Sequence, residues 1–78
     1  MYEKAIELNP NNPQCYNNKG ITLTCLEKYE DAINCFDLAI QFDPYYSYAY
    51  NNIANVLYEL KKYDEAIKYY QEVIRLNK

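Results

Sequence analysis

The sequence predicts an all-α fold built of antiparallel helix-turn-helix repeats. Three observations predict it. The chain resembles itself at an offset of 34 residues, each half of the repeat carries apolar side chains at helical spacing, and prolines or short polar runs separate the halves.

The offset holds at many sites. Glu30-Asp31-Ala32-Ile33 moved by 34 becomes Asp64-Glu65-Ala66-Ile67. The same step carries Tyr16 to Tyr50, Asn17-Asn18 to Asn51-Asn52, Leu23 to Leu57, Tyr29 to Tyr63 and Phe36 to Tyr70. Moving backwards, Phe36 reaches Tyr2, Ala39 reaches Ala5, Ile40 reaches Ile6, and Asp43-Pro44 reaches Asn9-Pro10. The expected organisation is one domain over 1–78, with the second half of a repeat in 1–12 and full repeats in 13–46 and 47–78.

The first helix is expected near 2–9, too short to persist alone in water and dependent on packing. The second is expected near 13–26, where Pro13 suits a first helical turn because its missing N–H costs nothing there. Its stripe is Tyr16, Gly20, Leu23 and Leu26. The third, near 29–42, carries Tyr29, Ala32, Ile33, Phe36, Ala39 and Ile40. It ends because the residue before Pro44 disfavours helix. The fourth, near 47–60, carries Tyr50, Ile53, Ala54, Leu57 and Leu60. After Lys61-Lys62 the fifth, near 63–77, carries Tyr63, Ala66, Ile67, Tyr70, Val73 and Ile74. Connections of a few residues make neighbouring helices antiparallel. Gly20 and Ala54, and Ala32 and Ala66, are the small residues that let helix axes approach to the usual ~8–10 Å.

Composition removes several function classes. No apolar run nears the ~18 residues of a membrane span, and mean hydropathy is −0.58. The net charge of −3 argues against a phosphate-backbone partner, so no nucleic acid and no membrane are expected. Cys15, Cys25 and Cys35 lack zinc or redox spacing, and free thiols suit a reducing, cytoplasmic interior. The start, Met-Tyr-Glu-Lys-Ala, does not read as a signal peptide. With no His and a single Gly, the commonest general base and the phosphate-binding loop are both missing. The chain is therefore expected not to be an enzyme and to hold no cofactor or metal.

These residues resemble the tetratricopeptide repeat, whose pattern runs aromatic, two residues, Leu-Gly, two residues, Tyr, later Ala, three residues, Phe, then Pro. The first full unit has Tyr16, Lys19-Gly20, Leu23, Ala32, Phe36 and Pro44; the second has Tyr50, Ile53-Ala54, Leu57, Ala66, Tyr70, and Lys78 where Pro is expected. Lys19 departs from the apolar site, although its stem can pack while its ammonium reaches water. The resemblance implies helix pairs stacked as a short right-handed superhelix, a solenoid whose concave groove binds a peptide or a partner protein.

Removing the apolar stripes leaves an open face made of Gln14, Asn17, Asn18, Ile21 and Cys25 on one helix, and Tyr48, Asn51, Asn52, Asn55 and Glu59 on the other. A primary amide offers both donor and acceptor, so repeated Asn can grip an extended backbone as a ladder. The resemblance places Asn18 and Asn52 at the ladder position, and Tyr48 and Tyr58 add apolar surface with a polar tip. The expected peptide-binding residues are Gln14, Asn17, Asn18, Ile21, Tyr48, Asn51, Asn52, Asn55, Tyr58 and Glu59. The family's clamp for acidic tails needs Lys and Arg beside Asn; the matching sites here hold Asn17, Ile21, Tyr48 and Asn52, so that clamp is not assembled.

An alternative is a structural repeat unit, designed or excised, whose main property is self-association without a ligand of its own. The chain reads as two and a half repeats, and stacks usually need three with polar caps. Tyr2, Ile67, Tyr70 and Ile74 are the expected self-association surface, giving a homo-oligomer or end-to-end stacking.

Overall fold

The structure, a computed structural model, describes residues 12–77. Four helices follow one another: α1 (Pro13–Cys25), α2 (Tyr29–Phe42), α3 (Ser47–Glu59) and α4 (Tyr63–Leu76). The architecture is all-α, and every described helix ends within a residue or so of its expected bounds. The helix expected near 2–9, and Tyr2 with it, lies outside the described residues.

Local chemistry sets the ends. The Asn12 side chain accepts from the Gln14 N–H at 2.9 Å, and Pro13 follows at the first helical position. The end of α1 closes with Lys28 N–H donating to Leu23 C=O at 2.9 Å and Glu27 N–H to Thr24 C=O at 3.0 Å. The end of α3 repeats this with Lys62 to Leu57 at 2.8 Å and Lys61 to Tyr58 at 3.0 Å. These paired bonds form the Schellman motif, which needs a left-handed residue after the helix. Glu27 (φ 61°) and Lys61 (φ 64°) take that role in place of glycine. The end of α2 differs: Asp43 is extended, and its carboxylate accepts from the Tyr45 N–H at 3.1 Å in a turn through Pro44.

The packing order is α1 on α2, α2 on α3 and α3 on α4, with α1 also touching α3. The core is Ala32, Phe36, Ala39, Ala49, Ile53, Val56, Leu57 and Ala66, with Tyr16, Leu23, Ile33, Ile40, Tyr69 and Tyr70 against it. Gly20 lies under the Phe36 ring, where an added Cβ would sit 2.7 Å from Cδ1. The close approach expected at Gly20 is therefore an aromatic ring laid on helix backbone. Leu26 and Leu60, expected in the apolar stripes, instead cap α1 and α3 and are exposed, because the chain turns away from the core there.

Candidate functional site

The open face is carried by α1 and α3, whose exposed and half-buried residues include two matching stripes. On α1 the stripe is Gln14, Asn18, Ile21 and Cys25; on α3 it is Tyr48, Asn52, Asn55 and Glu59. Both follow the spacing i, i+4, i+7, i+11, which keeps side chains on one helix face. Gln14, Cys25, Asn55 and Glu59 are exposed, as are Ile21, Tyr48 and Tyr58. Asn18, Asn51 and Asn52 are half-buried.

Asn17 departs from the open-face expectation: it is buried, with 5% of its surface exposed. Its Oδ1 accepts from Asn52 Nδ2 at 2.8 Å, linking α1 to α3. Burial of an amide is costly unless it is hydrogen-bonded, and Asn17 meets that requirement. It also faces the Tyr46 hydroxyl. Burial pushes the Tyr46 phenol up, nearby Tyr48 and Asp43 add to this, and a side-chain hydrogen bond with Asn17 draws it back. Asn17 therefore ties three elements behind the face: α1, the turn before α3, and α3 itself.

The bond to Asn17 orients the Asn52 amide. Its Oδ1 and second N–H have no partner among the described residues. One turn further, Asn55 Oδ1 accepts from the Tyr70 hydroxyl, which leaves its amide N–H groups unpartnered among the described residues. Aromatic rings flank the face. Tyr48 meets Tyr46 edge-on at 5.5 Å, and Tyr58 meets Tyr63 edge-on at 5.1 Å. The Asn52 and Asn55 ties were not visible in the sequence, since they pair residues 35 and 15 positions apart.

Charge is sparse here. Lys19 is the one charged residue of α1 and Glu59 the one charged residue of α3. Lys19 is half-buried, and its ammonium acts on Cys35 of α2: burial pushes that thiol up, and Lys19 pulls it back. Cys15 and Cys35 are buried, whereas Cys25 is exposed on the face. Among the described residues no group of three or more His, Cys, Asp or Glu is placed to hold a metal ion, and no helix is long and apolar enough to cross a membrane. Beyond the Cys25 and Glu59 ends of α1 and α3, a cleft of about 640 Å³ lies between the two hairpin turns, lined by Glu27, Lys28, Tyr29, Glu30, Asp31, Leu60 and Lys62.

The residues expected to mediate self-association divide. Ile67 and Ile74 are exposed, whereas Tyr70 is half-buried, packs against the core and bonds to Asn55.

Two tetratricopeptide-repeat family models match, one over residues 47–78 and one over residues 1–34. With the helix-pair fold above, they show that the chain belongs to the tetratricopeptide repeat family. Among solved structures it is similar to YrrB, described as a tetratricopeptide-repeat protein with an unusual peptide-binding site, with TM-score 0.96 and 27% identity over 100% of this chain and 40% of that one. It is also similar to the first and second tetratricopeptide-repeat domains of Spaghetti (RPAP3), each bound to the HSP90 peptide SRMEEVD. The first aligns with TM-score 0.89 and 29% identity over 96% of this chain and 60% of that one. The second gives 0.87 and 27%, over 96% and 69%. The chain thus spans 40% to 69% of these structures. None of the curated proteins compared with the chain matches it by sequence.

Proposed function

We propose that the chain is a protein-interaction module whose α1–α3 face binds an extended peptide segment. The observation that carries this reading is the pair of in-register stripes, with the Asn52 amide held from behind by Asn17 and the Asn55 amide held by Tyr70. Asn52 and Asn55 stand one helical turn apart, about 5–6 Å between Cβ atoms. That spacing lets Asn52 Oδ1 accept a peptide N–H while an Asn55 N–H donates to a peptide C=O. Asn18, Asn51 and Gln14 extend the amide surface, Ile21, Tyr48 and Tyr58 supply apolar contact, and Glu59 closes one end. Asn17 acts through Asn52. The similarity to peptide-binding relatives supports the reading.

Magnitudes set the expected affinity. A net hydrogen bond contributes about 0.5–1.5 kcal/mol, so four give about 2–6 kcal/mol. Micromolar binding needs about 8 kcal/mol. The amides hold the backbone, and the aromatic and aliphatic contacts have to supply the remainder. The test is a peptide array probed with the native chain and with Asn18→Ala and Asn52→Ala. Loss of binding across many sequences at once is expected, because a ladder reads backbone; unchanged binding would reject it. The Cys25 thiol gives an independent readout: bound peptide should slow its alkylation.

A second reading, association with a further copy of this chain, is favoured by one observation. Ile33 and Ile40 of α2 pack against the core, while their counterparts Ile67 and Ile74 on α4 are exposed. A copy placed on α4 as α3 lies on α2 would cover them. Light scattering that shows only monomer at high concentration would reject this reading.

A further inference from the structure

Resting on the peptide-binding reading, we infer that the face disfavours a net-acidic segment and selects one that places a lysine or arginine beside Glu59. The charge layout argues this. The stripes on α1 and α3 carry no cation: Lys19, the one basic residue of these two helices, lies outside the stripe of Gln14, Asn18, Ile21 and Cys25 and is half-buried. The remaining basic residues among those described stand elsewhere: Lys28, Lys61 and Lys62 at the hairpin turns, Lys68 on α4, and Arg75 on α4 bound to Glu72 at 2.7 Å. A ligand carboxylate laid between the two stripes would lose water without gaining a counter-charge, an unfavourable exchange.

Glu59 has the opposite effect. It is exposed at the end of the α3 stripe, and its counterpart on α1 is the uncharged Cys25. Lys61 and Lys62 follow Glu59 at the turn, but among the described residues none forms an ion pair with it, so its carboxylate is a partner for one ligand cation. The register follows from geometry. Tyr48 to Glu59 spans eleven residues of helix, about 16 Å at 1.5 Å per residue. An extended strand covers that length in about five residues at ~3.3 Å each. The preferred segment therefore carries an aromatic or aliphatic side chain against Tyr48, backbone opposite Asn52 and Asn55, and its cation about five residues further on.

Three fluorescein-labelled probes separate the charge term: SRMEEVD, the acidic peptide bound by the Spaghetti domains, its charge-exchanged form SEMKKVK, and the neutral SQMQQVQ. Each is titrated by anisotropy against the whole chain. SEMKKVK should bind tightest and SRMEEVD weakest. Glu59→Gln should narrow that gap by about two- to fivefold, the range of an exposed ion pair. Glu65→Gln, an equal charge change on α4, should leave the gap unchanged apart from a small general charge effect. SRMEEVD binding as tightly as SEMKKVK, or a gap that Glu59→Gln and Glu65→Gln change equally, would overturn the inference. The parent reading has its own control: Asn52→Ala must weaken SQMQQVQ. If it does while the charge gap is missing, only the selectivity is wrong; if it does not, or no probe binds, both readings fall.

Discussion

Helices α2 and α4 hold the same place in successive repeats, yet their surroundings differ sharply. On α2, Ala32, Phe36 and Ala39 are sealed from water, and Ile33 and Ile40 pack against the core. On α4 only Ala66 is buried, Tyr70 is half-buried, and Ile67 and Ile74 are 52% and 64% exposed. The apolar pattern of the two helices is nearly the same. The difference comes from neighbours: α2 lies against both α1 and α3, and α4 against α3. In a stack of this kind each helix draws stability from adjacent elements, so one residue type contributes differently in each repeat.

The sharpest test of that contrast exchanges the paired rings for alanine. Phe36→Ala should cost about 3–5 kcal/mol, the range for a buried aromatic. Tyr70→Ala should cost about 1–2 kcal/mol, since its ring is half-open and its hydroxyl bond to Asn55 is at the surface. Urea denaturation followed by helical circular dichroism measures both. Equal costs would mean that α4 is as firmly enclosed as α2.

Next in size is a lysine scan of the paired isoleucines. Ile40→Lys should cost about 2–3 kcal/mol, because a charge is placed against the core. Ile74→Lys should change stability by no more than about 0.5 kcal/mol, as at other open sites. If copies of the chain associate through α4, the second variant should also remove concentration dependence from sedimentation. A large folding cost for Ile74→Lys would show that α4 is covered by something else.

The helices themselves were legible because their signals are local. Pro13, Pro44 and the aromatic starts at Tyr29 and Tyr63 mark the ends, and the 34-residue offset makes each repeat confirm the other. The open face was legible in outline, because residues left over from the stripes are those α1 and α3 expose. Asn17 was not. It lies at the border of its stripe, and whether such a residue faces solvent or a neighbour depends on how α3 sits against α1. That is set by packing between repeats, which single-helix periodicity does not encode. Leu26 and Leu60 were misplaced for a related reason: the turn begins one residue before the apolar spacing stops.

A smaller effect tests the seam between the two repeats. Asp37 of α2 is exposed, yet surrounding packing desolvates its carboxyl enough to push it above its ordinary 3.8. Tyr69 of α4 feels that charge, and burial first, then Asp37, pushes its phenol up. The folded state holds the Asp37 proton more tightly than the unfolded state does. Its favourable contribution is therefore complete below 3.8 and is lost as pH rises through the raised folded value. Asp37→Asn should accordingly stabilise the chain at neutral pH, by less than about 1 kcal/mol, and make no difference in acid. Thermal melts across that pH range measure it; a gain that persists below 3.8 would place the effect elsewhere.

Effects of similar size are expected where the two repeats agree. Glu27 and Lys61 both hold left-handed backbone at the ends of α1 and α3. That conformation costs a residue with a Cβ about 1–2 kcal/mol, and glycine adopts it freely. Glycine also gains freedom in the unfolded chain, which offsets part of the benefit. Glu27→Gly and Lys61→Gly should therefore each stabilise by about 0.5–1 kcal/mol. Glu27→Gly removes a charge beside Lys28 as well, so Glu27→Asn separates the two contributions: asparagine visits the left-handed region more readily than glutamate and should recover part of the gain. If glycine helps at one turn and harms at the other, the two hairpins are not equivalent despite matching hydrogen bonds. The side chain at the harmed turn would then contribute more than its backbone strain costs.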